Sequence, residues 1–332
     1  MRRLLLVAAC IITAAGGNGG PLRWVQQLIT GRSPCPGAAS KYRRDGFVVC
    51  PALLGASELA ALQSDVANIA LGQLGEVRGV AAAPEGTNAS TTTVLERYLA
   101  FHHPHKLSPV LAATMRHERV VAVLRELIGS PNVKSMQSMY FIKAPGKPGQ
   151  AWHQDENYIP TRDRSLVGAW VAIEDADVEN GCLWMHPGSH RAGVIYPMQP
   201  HGDERFDATG EAYGFPYDPD GGVACEVRAG TVVFFHGYVL HRSLANVSPN
   251  RSRHAFVMHF MSAESLLPWD ADGTIVPFPH DNRDVILVSG VDPYAHKGYV
   301  SNLTVPFVRP AEGAFGSASL GAAAALQSPA SA

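Results

Sequence analysis

From Val133 onward the chain is a succession of short β-rich runs with no helix of convincing length between them. "VKSMQSMYFIKA", "SLVGAWVAIEDA", "CLWMHPGSH", "GTVVFFHG" and "RHAFVMHFMS" are each bounded by Gly, Pro, Asn or Asp. Many short strands without intervening helices fit an antiparallel barrel or jelly roll, closed or double-layered so that few edges stay bare. The residues before Val133 read differently. A short strand, 46–50, turns at Pro51, and Ser57 stands as N-cap of a helix whose apolar stripe is Leu59, Leu62, Val66 and Ile69. A Gly-, Ala- and Thr-rich loop follows at 76–94. A second helix, about 116–128, stops at Gly129 and Pro131. The spacing therefore predicts a mainly β fold with N-terminal helices packed outside it, as one domain over residues 38–310.

Flanking segments fall outside that domain. "MRRLLLVAACIITAAGG" has two arginines, then roughly a dozen mostly apolar residues and a small-residue patch, the layout of a targeting signal over residues 1–20. This favours the secretory pathway or an organelle, with a cytoplasmic location as runner-up. The run is too short to span a bilayer. Asn88, Asn246 and Asn302 begin Asn-x-Ser/Thr sequons. Residues 311–332 are low-complexity and read as a disordered tail. Five cysteines form no CxxC pair, so zinc-ribbon and disulfide-scaffold classes drop out, although one bridge such as Cys35–Cys50 stays open. A formal net charge of −2 carries no electrostatic footprint for nucleic acid or an anionic membrane.

His153 and Asp155 in "AWHQDENYIP" are i and i+2, which share a face in extended chain. One imidazole and one carboxylate make two corners of a facial triad, a geometry that leaves three cis positions open on Fe(II). His236 and His241 in "TVVFFHGYVLHRS" compete to be the third corner. Gln154, between the first two, alternates to the other face. A hairpin turning at "VSPN" would lay Arg253 beside His241 and Ser243, and a guanidinium there suits the far carboxylate of a keto-acid co-substrate such as 2-oxoglutarate. Arg251, two residues earlier, is its rival. Other polar clusters have plainer readings: "DADVENG" as a turn, "PGSH" as a tight turn, "AFHHPHK" with His102, His103 and His105 as a solvated loop. The aromatics of "FDATGEAYGFPYDPDGG" read as stabilising a long turn.

Taken together, "HQD", "AWVAIEDADVENGCLWMHPGSH", "GTVVFFHGYVLHRSLANVS" and "RSRHAFVMHF" resemble the phytanoyl-CoA dioxygenase family, over roughly residues 40–265 and in the same order. The resemblance implies a double-stranded β-helix (a cupin-like jelly roll) and Fe(II) held by His153, Asp155 and His241. It implies a 2-oxoglutarate site made by Arg253, Ser243, Trp170, Met139 and, by a loose alignment, Arg97. The expected activity is that of a dioxygenase using Fe(II), 2-oxoglutarate and O₂, stimulated by ascorbate, which hydroxylates a C–H of a small-molecule or lipid-like substrate. Related halogenases carry a small residue at the carboxylate position, so Asp155 points to hydroxylation. The contrasting expectation is a catalytically silent jelly roll that only binds a metal or ligand. A zinc hydrolase using the same triad would leave Arg253 without a role. The chain is expected to act as a monomer.

Overall fold

The computed structural model describes residues 33–80, 94–265, 285–297 and 306–310. The targeting segment, the tail, the sequons at Asn88 and Asn302 and most of the 76–94 loop lie outside them. Helix α1 (Ala38–Asp45) leads into strand β1 (Phe47–Cys50) and helix α2 (Ala56–Ala70). Strand β2 (Tyr98–His102), helices α3 (Pro109–Thr114) and α4 (Glu118–Ile128) and strand β3 (Val133–Lys143) follow. The remaining strands are β4 (Gln150–His153), β5 (Val167–Ala172), β6 (Leu183–Met185), β7 (Met198–Gln199), β8 (Glu211–Ala212), β9 (Val223–Cys225), β10 (Val232–His236), β11 (His241–Ser243), β12 (Arg253–Ser262), β13 (Ile286–Ser289) and β14 (Phe307–Pro310).

Local chemistry sets the helix ends. α1 and α4 stop at Gly46 and Gly129, which take left-handed φ of 85° and 76°, a conformation that costs glycine little. The cap of α2 is Gly55 rather than Ser57. The Glu58 carboxylate reaches back to accept the Gly55 N–H at 2.7 Å, which satisfies an orphan donor without a hydroxyl.

Among the described residues the strands form a large antiparallel sheet, β1-β10-β5-β12-β3-β2-β14 with β13 on β3, and a four-stranded sheet, β4-β11-β6-β9. The two face each other as the jelly roll expected from the short β-rich runs. Alternation along the large sheet divides its side chains cleanly. Phe234, Val171, Phe256, Met258 and Phe260 point out and pack under α1, α2 and α4 with Tyr42, Leu62, Val66 and Leu124. Val233, Phe235, Trp170, Ala172, Ala255 and Val257 point in, toward Leu183 and Met185 of the small sheet. Each fully buried Phe or Leu contributes about 2 kcal/mol of transfer free energy, so the outer layer anchors the large sheet and leaves its inner face free to carry polar groups.

One connection differs from expectation. β11 and β12 do not pair as a hairpin: β11 lies between β4 and β6, while β12 lies between β3 and β5. Nonlocal partners outcompete the local turn, so Arg253 reaches Ser243 across the sandwich instead of along a ladder. Cys35 and Cys50 form a disulfide that ties the approach to α1 onto β1.

Candidate metal centre and its neighbouring pocket

His153 ends β4, His241 begins β11, and the two are cross-strand partners in the small sheet, with ring centroids 4.0 Å apart. Asp155 does not continue the strand. It opens a one-turn 3₁₀ helix, Asp155–Asn157, held by Glu156 N–H donating to Gly237 O. This bend swings its carboxylate under both imidazoles. Each histidine donates Nδ1–H to a carbonyl two residues back, His153 to Ala151 O at 2.8 Å and His241 to Val239 O at 3.1 Å. That fixes the tautomer and leaves both Nε2 lone pairs free, 3.6 Å and 3.5 Å from Asp155 Oδ1. Asp155 Oδ2 instead accepts a hydrogen bond from His259 Nε2 at 2.8 Å, from β12 on the opposite sheet.

Only this trio, among the described residues, brings three metal-ligating atoms within 4.8 Å of one another, and all three side chains are buried. Their protonation suits a cation. Burial, then His241, lowers the His153 pKa to about 4, so it is neutral at pH 7. Burial alone would raise Asp155, but His241, His259 and His153 outweigh it and hold the carboxyl below its ordinary range. Two imidazoles and one carboxylate are the donor set a divalent ion takes. Gln154 points to the other face, as alternation predicts: its amide donates to Val194 O and Tyr238 O and accepts from Tyr196 N–H. His236 lies apart from the trio; its Nδ1 accepts the Tyr238 N–H.

Two residues along the same strands is a cationic pocket. Ser243 pairs with Gln150, and Arg253, 3% exposed, enters from β12 with its Nε donating to Gly181 O and its guanidinium 5.5 Å over the Trp170 ring. Burial lowers the Arg253 pKa to about 10, still ionised at pH 7. Lys143, its partner on β3, donates from Nζ to Ser243 Oγ at 2.8 Å and Leu244 O at 2.5 Å. Burial and the adjacent Arg253 push the Lys143 pKa well down. Since Lys143 uses a lone pair of Ser243, the serine proton is left to donate elsewhere. Met139 sits on β3 opposite Val257 and accepts a contact from Gln137 Nε2 at 3.4 Å.

Two expectations are corrected here, and the rival arginine is set aside. Arg97 is exposed in the turn before β2, and it is Leu99 that lines the pocket. Arg251 faces solvent at 41% exposure, paired with Asp177 and Glu179. His102, His103 and His105 are not a solvated loop: His102 stacks on Phe307 at 4.3 Å, and buried His105 bonds Ser138 Oγ at 2.6 Å. The long turn behaves as expected, its Phe215 and Tyr217 packing on His186 and Tyr196. The sequence reading missed His259, Lys143, Asp207 and Arg309. His259 and Lys143 had a signal, since His259 shares the strand phase of Arg253 and Lys143 that of Met139. Asp207 and Arg309, in a long loop and a late strand, had none.

A sequence model of the phytanoyl-CoA dioxygenase (PhyH) family matches residues 42–255, more than half of the chain. A phytanoyl-CoA dioxygenase of Arabidopsis thaliana is 33% identical over 177 residues, 52% of this chain and 60% of the relative. Phytanoyl-CoA dioxygenase domain-containing protein 1 of Bos taurus is 36% identical over 54% of this chain and 61% of its own length. The match thus spans about three fifths of these relatives. Among solved structures, the non-haem α-ketoglutarate-dependent carbocyclase SnoK superposes with a TM-score of 0.54 at 25% identity, covering 76% of this chain and 96% of that one. The epimerase SnoN, in complex with Fe³⁺, α-ketoglutarate and nogalamycin RO, gives 0.53 at 25% identity, over 76% and 94%. On the extent of that family match, the chain belongs to the phytanoyl-CoA dioxygenase family.

Proposed function

We propose that this chain is a non-haem Fe(II)- and 2-oxoglutarate-dependent dioxygenase that hydroxylates a C–H bond of a small-molecule or lipid-like substrate. The observation that carries the reading is the adjacency of a three-ligand centre and a buried anion pocket on the same two strands. Bound iron would supply O₂ activation, coupled to converting 2-oxoglutarate and O₂ into succinate and CO₂ while the second oxygen atom enters the substrate as hydroxyl. The protein's own groups do the positioning. His153 and His241 present fixed Nε2 atoms, and Asp155 supplies one negative charge. Arg253 receives the far carboxylate of the co-substrate, and Ser243 donates its free proton to the same group. Asp155 fills the position where related halogenases carry a small residue, which favours hydroxylation.

Succinate released from 2-oxoglutarate with Fe(II) and ascorbate should be measurable for the wild type and fall to background in His153→Ala and Arg253→Ala. Arg251→Ala should retain activity. Metal binding without any 2-oxoglutarate binding would instead favour the silent-binder reading.

The disulfide supports maturation in an oxidising compartment, in line with the apolar N-terminal run, since cytosolic thiols are kept reduced. Of the sequons, Asn246 is fully buried with its amide donating to Lys143 O and Arg251 O, so it offers no acceptor once folded. Alkylation with and without reductant, read by mass spectrometry of protein from its native cells, tests this; free Cys35 and Cys50 would refute it.

A further inference from the structure

We propose that Asp207 and Arg309 form a charge latch across the cationic pocket and make it selective for a dicarboxylate, an inference that rests on the dioxygenase reading above. Arg309 arrives from β14, and its Nη1 lies 3.3 Å from Asp207 Oδ2, with the two side chains 12% and 9% exposed. The guanidinium rests 5.4 Å over the Phe141 ring, and its buried Nε has no hydrogen-bond partner. One donor on Arg309 is therefore unspent. Asp207 is held from its other side: Oδ1 accepts the Thr209 hydroxyl at 2.5 Å and the Thr209 N–H at 3.2 Å. Its own N–H donates to Gly149 O, which pins the loop beside the start of β4.

Both residues line the same pocket as Lys143, Ser243 and Arg253. With the pair closed, that partly open pocket has a cavity volume of about 30 Å³, room for little more than ordered water. A ten-heavy-atom keto diacid needs more room, and the latch supplies it by parting. Parting an ion pair this deeply buried is costly unless the guanidinium gains another anion. A co-substrate with a far carboxylate supplies that anion, and Arg309 exchanges Asp207 for the ligand. A keto acid lacking the second carboxylate has nothing to exchange. A shorter keto acid such as 2-oxobutanoate does not reach the pair and leaves it closed, so selectivity comes from the exchange at Arg309 and not from a cost on the shorter ligand. The resident carboxylate also opposes the incoming one, so Asp207 holds affinity below what Arg253, Lys143 and Arg309 would otherwise give.

The test is calorimetric titration of the Mn(II)-loaded protein, without O₂, with 2-oxoglutarate and with 2-oxobutanoate, which lacks the far carboxylate. Asp207→Asn keeps the size and the Thr209 contact; it should tighten 2-oxoglutarate roughly three- to tenfold and leave 2-oxobutanoate unchanged. Arg309→Gln removes the exchanging cation and leaves Asp207 unpaired; it should weaken 2-oxoglutarate roughly tenfold, again without moving 2-oxobutanoate. Equal shifts for both keto acids in either variant would mean a merely structural role and overturn the latch, as would an unchanged 2-oxoglutarate affinity in both variants. The dioxygenase reading fails separately, if the metal-loaded wild type binds no 2-oxoglutarate. It stands, even with the latch refuted, if the wild type binds and Arg253→Ala abolishes binding.

Discussion

Of the neighbouring histidine pairs among the described residues, two contrast sharply: one is built to bind a metal and the other is not. His153 and His241 lie 4.0 Å apart on the inner side of the small sheet; His190 and His236 lie 5.4 Å apart between α1 and the rim of the large sheet. The outer pair even borders the larger cleft, about 460 Å³ lined by Tyr42, Arg164 and Glu264 among others. Size does not mark the site. In the inner pair each Nδ1 is occupied by a carbonyl, so both Nε2 atoms converge on one carboxylate oxygen. In the outer pair His236 Nδ1 accepts the Tyr238 N–H and His190 Nε2 donates to Arg43 O, and among the described residues no acid joins them in a three-ligand cluster. A metal centre needs directed lone pairs and a charge between them; proximity of imidazoles is not enough.

That contrast can be broken most severely at the ligands. His241→Ala should weaken Fe(II) or Zn(II) binding at least about a hundredfold in competition with a chromogenic chelator, whereas His236→Asn should leave it within about twofold. Comparable losses in both variants would erase the distinction between the pairs.

A smaller effect is expected one step back from the metal. His259 holds Asp155 Oδ2 and so keeps Oδ1 turned toward the two imidazoles. His259→Leu should cost roughly 10- to 100-fold in metal affinity, and His259→Gln, which retains a donor, should recover part of it. If Leu and Gln behave alike with unchanged affinity, the hydrogen bond does not orient the ligand.

The smallest effect concerns pH. Burial, then His190 and Arg164, lowers the His236 pKa from 6.5 to about 4. Above pH 6.5 the residue is neutral folded or unfolded. Between there and about pH 4 the unfolded chain takes up a proton that the folded one resists, so stability falls as pH falls, by at most about 1.4 kcal/mol per pH unit for this group. His153 contributes with the same sign. Urea midpoints at pH 7 and pH 5 should therefore draw closer in His236→Asn than in wild type; an undiminished gap would contradict the assignment.

How far the sequence revealed this arrangement depended on whether a signal was local. The jelly roll follows from short strands with no helices between them, and the inward phase of Arg253 follows from period-two alternation. The His-x-Asp corner was legible as a spacing, but its form was not: Asp155 reaches the imidazoles by leaving the strand for a 3₁₀ turn. The expected β11–β12 hairpin failed because both strands had better partners elsewhere, and pairing across the sandwich leaves no mark in neighbouring residues. Arg97 follows only from a loose alignment with the family, and it lies exposed in the turn before the buried stretch of β2. The arginine that does line the pocket beside Arg253 is Arg309, more than two hundred residues later, which no local pattern could nominate.

The two sheets differ in length as well as in role. β12 has 10 residues and β3 has 11, knitted along nearly their whole length, while β4, β6, β9 and β11 have only 3 or 4. Opening free energies follow such differences, and elements with few ladder bonds open while the rest stays closed. His153 and His241 therefore ride on short ladders, and a bound ion should act as a rivet that slows amide exchange there more than along β3 and β12.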